Sequence, residues 1–178
     1  MKNRAARAPS TKTSDREGRA GLYTLEVFLI GGPVNGEFTR RNRIISRTIQ
    51  ILGDQTLEDL HEAIFFAFDR MDAHMYEFQI GGRGPMDPKA RRYGVPTSRP
   101  RASLRGQEPV TDARRVTIES LGLGVHDRFG YWFDFGDNWW HQINVVAIHR
   151  KAPAASLPRV VKRVGENPPQ YGDQNEEE

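Results

Sequence analysis

The strongest constraint on the fold lies between Phe129 and Ile148, where two β-prone runs flank a short polar break. Phe129 to Phe135 alternates aromatic residues, Trp139 to Ile148 is rich in β-formers, and Asp137-Asn138 supplies turn chemistry between them. Runs of this kind on either side of a short turn form an antiparallel hairpin. A two-residue loop at Asp137-Asn138, or a four-residue loop from Gly136 to Trp139, predicts Phe135 opposite Trp140 and Asp134 opposite His141. A three-residue loop breaks that registry.

A hairpin alone is marginal, so the rest of the chain must supply neighbours. Leu22 to Ile30 and Arg43 to Leu52 read as strands joined through Gly31-Gly32-Pro33-Val34-Asn35-Gly36, with Ile45, Ile49 and Ile51 on alternating positions of the second. Thr56 then precedes an acidic first turn containing Glu58 and Asp59. Leu57, Leu60, Ile64, Ala67, Phe68 and Met71 follow at helical spacing. This is the clearest amphipathic helix. Met75 to Ile80 reads as a strand closed by Gly81-Gly82, Thr117 to Leu123 as a short strand or turn. The order predicts an α+β fold: a mixed, largely antiparallel sheet crossed by one main helix, with a β-grasp-like topology.

The 178 residues suit one domain with tails. Residues 1–21 read as a disordered basic tail, 22–172 as the domain with an Arg-rich insertion at 83–115, and 173–178 as an acidic tail. Residues 1–20 carry six positive and two negative charges, and residues 83–115 carry nine and three. The formal charge of the whole is only +3, so the remainder is net acidic and no uniformly basic surface follows. No apolar run approaches bilayer length, and the N-terminus lacks the apolar centre of a secretory signal. A cytoplasmic protein with no membrane partner is expected. The chain has no cysteine, which leaves His, Asp and Glu as ligands for any divalent metal.

Three segments carry a resemblance to a known family. The first is Thr56-Leu57-Glu58-Asp59-Leu60-His61 with Ala67-Phe68 and His74-Met75-Tyr76-Glu77-Phe78. The second is Tyr131-Trp132-Phe133-Asp134-Phe135-Gly136-Asp137-Asn138-Trp139-Trp140-His141. The third runs from Leu157-Pro158-Arg159 through Gly165-Glu166-Asn167-Pro168-Pro169 to Gly172-Asp173. Together they resemble the plasmid pRiA4b ORF-3-like family, some members of which are named insertion-element passenger TnpR-like proteins. The resemblance covers Leu22 to Asp173 apart from the insertion. It implies no established reaction, and its naming suggests an association with mobile genetic elements. This chain departs from it in lacking the C-terminal cysteines often found in relatives, which removes any metal or redox role that would depend on them.

Asp134, Asp137 and His141 are the candidate catalytic residues, because carboxylate and imidazole perform acid–base chemistry or bind a metal when they converge. The structural alternative is that Asp137 makes the turn, Asp134 pairs with His141, and Trp139 and Trp140 pack the core. His61, His74 and His141 are the candidate metal ligands if the fold brings them together; packing or capping explains His61 and His74 otherwise. Arg91, Arg92, Arg99, Arg101 and Arg105, with Tyr93, could contact phosphates and stack a base. No recognised nucleic-acid module frames them, so a solvated loop is the alternative. The expectation is a noncatalytic interaction or accessory module with a protein partner. The alternatives are a metal-dependent or hydrolase-like enzyme using Asp134, Asp137 and His141, and a nucleic-acid binder using the insertion.

Overall fold

The computed structural model describes residues 20–96 and 109–171. Eight strands form one sheet: β1 (Leu22–Gly31), β2 (Ser46–Leu52), β3 (Tyr76–Ile80), β4 (Arg91–Gly94), β5 (Val110–Asp112), β6 (Arg128–Phe133), β7 (Trp139–His149) and β8 (Arg159–Val164). Their spatial order is β5-β4-β3-β6-β7-β1-β2-β8, and every pairing is antiparallel except β4 with β5. Two helices accompany them, α1 (Gly36–Arg41) in the β1–β2 connection and the main helix α2 (Leu57–Ala67). The fold is therefore α+β, with one main helix over a mixed, largely antiparallel sheet.

The local sequence explains where α2 starts and which way it faces. Thr56 Oγ1 accepts from the Asp59 amide at 3.1 Å, and Asp59 Oδ2 accepts from the Thr56 amide at 2.7 Å. This capping box satisfies two of the donors that a helix start leaves unpaired. Leu57, Leu60, Ile64, Ala67 and Phe68 are buried, in one core with Leu25 and Val27 of β1, Ile49 and Ile51 of β2 and Ile143 and Val145 of β7. The stripe stops earlier than its spacing suggests: Asp69 turns left-handed at φ 50°, and Met71 is exposed. Arg47, fully buried, donates from Nε to the Ala67 carbonyl at 3.0 Å and from Nη1 to the Val164 carbonyl at 2.7 Å. One side chain thus ties the end of α2 to β8.

Three sequence expectations change. The final hairpin closes through a five-residue loop, Asp134 to Asn138, that pairs Phe133 with Trp139, Trp132 with Trp140 and Tyr131 with His141. Asp134 is therefore not opposite His141. It turns left-handed at φ 53°, as does Asn138 at φ 56°, and its Oδ1 accepts from the amides of Gly136 and Asp137. A carboxylate that closes a turn on its own backbone competes with the ladder and ends the strand at Phe133, two residues before Phe135. Second, the Arg-rich insertion is not loop throughout, because β4 and β5 extend the sheet from within it. Third, Arg43 to Ile45 precede β2 rather than forming its start, and residues 119–121 form a 3-10 turn after a bridge between Thr56 and Thr117. The two tails, residues 1–19 and 172–178, lie outside the described residues.

Candidate functional site

Because strand residues alternate faces, His141, Tyr131, Trp139 and Phe133 all point toward α2. His141 is only 2% exposed, its ring 4.9 Å from that of Phe68 and 5.3 Å from that of Tyr131. Neither ring nitrogen has a hydrogen-bond partner of normal geometry, although the backbones of Tyr131 and Trp139 lie close enough to oppose part of the downward pKa shift. Burial first, and the Arg70 charge second, push its pKa down to about 3, so the ring is neutral at physiological pH. His61 lies on the sheet-facing side of α2, stacked on Tyr76 at 3.6 Å, with Nδ1 2.7 Å from the Tyr131 hydroxyl. Burial pushes its pKa down to about 4.

Asp134 meets a different histidine. Its Oδ2 lies 3.4 Å from His74 Nε2, and the same nitrogen lies 3.1 Å from the Tyr171 hydroxyl, which donates to Asp72 Oδ2 at 2.8 Å. Gln170 fixes this chain crossing: its Oε1 accepts from the amides of Met71 and Asp72, and its Nε2 donates to the Asp72 carbonyl. Asp137 sits in the hairpin loop. The candidate catalytic set Asp134, Asp137 and His141 is thus split between the hairpin turn, where Asp134 is itself buried, and the core under α2. The histidines are split in the same way, and among the described residues no three His, Asp or Glu side chains gather as a metal site.

The arrangement also contains a cation that sequence reasoning missed. Arg70 is 6% exposed, its guanidinium lies 3.7 Å from the centre of the Trp139 ring, and neither terminal nitrogen has a hydrogen-bond partner. Burial lowers its pKa to about 10, opposed by Tyr131, Asp134 and Asp137. The available signal was its isolation: residues 54–80 contain seven acidic residues and this single basic one.

The arginine candidates separate as well. Arg92 is held in a bidentate pair by Glu77 of β3, with Nε to Oε1 at 2.9 Å and Nη2 to Oε2 at 2.7 Å. Both side chains are largely buried, so Arg92 serves the β3–β4 pairing. Arg91 is exposed at the start of β4, and Arg99, Arg101 and Arg105 lie outside the described residues. On the sheet face away from α2, Trp132 and Trp140 stack at 4.7 Å, with Phe135 against Trp132. An open depression of about 320 Å³ lies nearby, lined by Phe28, Ile30, Ile44, Gln142 and Asn144 among others.

The family model for plasmid pRiA4b ORF-3-like proteins matches residues 37–173. The chain belongs to this family. A curated relative, the uncharacterized protein y4hQ of Sinorhizobium fredii (strain NBRC 101917 / NGR234), is 31% identical over 130 residues, covering 71% of this chain. The match covers 58% of y4hQ, so the chain spans well under two thirds of that relative's length. A crystal structure titled as a protein of unknown function, MM3350 from Methanosarcina mazei Go1, matches with a TM-score of 0.64 at 21% identity. It covers 85% of this chain and 73% of that one, a likeness of fold. In this pRiA4b ORF-3-like chain the three sequence segments that carry the resemblance meet in space. His74 comes from the first, Asp134 from the second and Tyr171 from the third.

Proposed function

We propose that this chain is a noncatalytic interaction module that binds a protein partner through its surface. The observation that carries this reading is the fate of the chemically capable side chains. His141 and Arg70 are buried, Asp134 closes a turn and is itself only 6% exposed, Arg92 is committed to Glu77, and the one His–carboxylate contact among the described residues joins that buried Asp134 to the exposed His74 rather than to the buried His141. Ligand and active sites are generally concave and shield their chemistry from water. Large apolar side chains, by contrast, are exposed at Ile30 and Ile44 beside the open depression, and at Phe66 in the last turn of α2 and Met71 just after it, among other positions. Surface apolar groups of this size gathered together are what protein interfaces use.

Placement in the cytoplasm and an association with mobile genetic elements belong to the same proposal. No helix among the described residues is long and apolar enough to cross a membrane, and the naming of family members supports the mobile-element association.

The test is a photoreactive phenylalanine analogue placed at Phe66 and, separately, at Ile44 in cells expressing the protein. A discrete protein adduct at either position is the expected result. Stoichiometric metal in the purified protein, or turnover of simple ester or phosphoester substrates that His74→Gln or Asp134→Asn abolishes, would replace the module with an enzyme. Salt-sensitive binding of nucleic acid that disappears when residues 97–108 are removed would replace it with a nucleic-acid binder.

A further inference from the structure

We propose that the surface at the C-terminal end of α2 docks a segment of a partner protein bearing Lys or Arg next to large apolar anchors. This rests on the module reading and names the surface and chemistry it uses. The apolar component is Phe66, 68% exposed, Met71, 78%, Tyr171, 44%, and Met75, 37%. Ring contacts link Phe66 and Tyr171 through the buried Phe133: Phe66 to Phe65 at 5.7 Å, Phe65 to Phe133 at 5.9 Å, Phe133 to His74 at 5.9 Å and His74 to Tyr171 at 6.4 Å. Gln170 clamps the Met71 and Asp72 amides, so the patch sits on a fixed chain crossing. Flexible methionines beside aromatic rings adapt to varied apolar partners.

The charge of the same surface selects among possible occupants. Glu62, Asp69 and Asp72 are exposed around the patch, with Asp134 and Asp137 at its hairpin side. Apart from Asp134 with His74, none of these five carboxylates is in an ion pair among the described residues. Against these five carboxylates stand three guanidiniums, Arg70, Arg47 and the exposed Arg163, so the surface stays net acidic. Arg70 is buried against Trp139, and Arg47 and Arg163 both donate to the Ala67 carbonyl. Arg114 acts on Glu58, at the other end of α2. An acidic rim around apolar anchors complements a cationic, apolar-anchored segment. It repels nucleic acid and a second copy of itself. Residues 1–19 of this chain have the matching charge, with six basic residues, but contain no Leu, Ile, Val or aromatic residue to cover Phe66 and Met71. An external partner is therefore the better fit.

The experiment titrates the full chain with three synthetic peptides of equal length, one of Leu and Lys at helical amphipathic spacing, one with Ser replacing Leu, and one with Glu replacing Lys. The Leu/Lys peptide is expected to bind, with salt-dependent affinity. Phe66→Ser with Met71→Ser is expected to weaken it at least about tenfold, the size of one interface anchor. Glu62→Lys with Asp72→Lys should weaken it and flatten the salt dependence, while Ile44→Ser leaves it unchanged. All five positions are on the surface, and the thermal transition of each variant checks folding. Equal binding of the Ser/Lys peptide, equal binding of the Leu/Glu peptide, absence of binding, or indifference to the Phe66 and Met71 changes would each overturn the proposal. Binding that emerges only after residues 1–19 are removed would also overturn it, by making that segment the occupant. An adduct at Ile44 together with no Leu/Lys binding would reject this face while leaving the module reading intact.

Discussion

Acidification should unfold this protein through two histidines held neutral in the core. His141 has its pKa pushed down to about 3 and His61 to about 4, both mainly by burial, whereas each titrates near the ordinary histidine value of 6.5 in the unfolded chain. The folded-state values are depressed, so below the unfolded pKa the unfolded state binds more protons and stability falls with pH until the folded values are reached. Between about pH 7.5 and about pH 5, each histidine costs about 2 kcal/mol, and the two together about 4 kcal/mol. That is a large share of the roughly 5–15 kcal/mol by which domains are stable. His141→Leu removes one of the two contributions while keeping an apolar side chain of similar volume between Phe68 and Tyr131. Urea denaturation of both proteins at the two pH values, followed by far-UV circular dichroism, isolates the effect, because the carboxylates titrate alike in both. The wild type should lose about 2 kcal/mol more than the variant over this interval. Equal losses would mean that His141 is protonated in the folded state or hydrated there, and would refute the argument from burial.

Leu60→Ala and Ile64→Ala should each cost about 2–5 kcal/mol in chemical denaturation, since both side chains fill the core between α2 and the sheet; near-neutral midpoints in both would reject that packing. Asp134→Asn and His141→Gln should be additive within about 0.5 kcal/mol in a double-mutant cycle, because the five-residue loop separates them. A coupling energy well above that would restore the pairing that an even loop predicts. Glu77→Gln should cost about 3–5 kcal/mol, since it leaves the largely buried Arg92 with a neutral partner; a loss below about 1 kcal/mol would show that the pair contributes little to joining β3 and β4.

What could be read from the sequence was whatever repeats along it. The α2 stripe and the alternation in β1, β2, β3, β6 and β7 each recur several times, so tertiary context had little room to override them. β8 escaped because its Arg159, Lys162 and Arg163 make it look solvated. It is an edge strand whose register slips against β2 between Thr48 and Ile49, and edges tolerate charge and irregularity as protection against further pairing. β4 and β5 escaped because they are four and three residues long and flank an Arg-rich stretch. The candidate site failed at one point, the parity of a turn. Strand side chains have a period of two, so an odd loop removes Asp134 from the rung of His141 and places it beyond the last pair, Phe133 with Trp139. Its new neighbour then follows from the sheet. Since β3 pairs with β6 so that Tyr76 faces Phe133, the residues just before Tyr76 and just after Phe133 leave the sheet at the same end. The Asp134 amide donates to the Met75 carbonyl at 3.0 Å, and the Asp134 carboxylate reaches His74. A single residue of loop length thus moves the Asp134 contact from the buried His141 to the exposed His74, and with it the balance between an enclosed reaction centre and an open docking face.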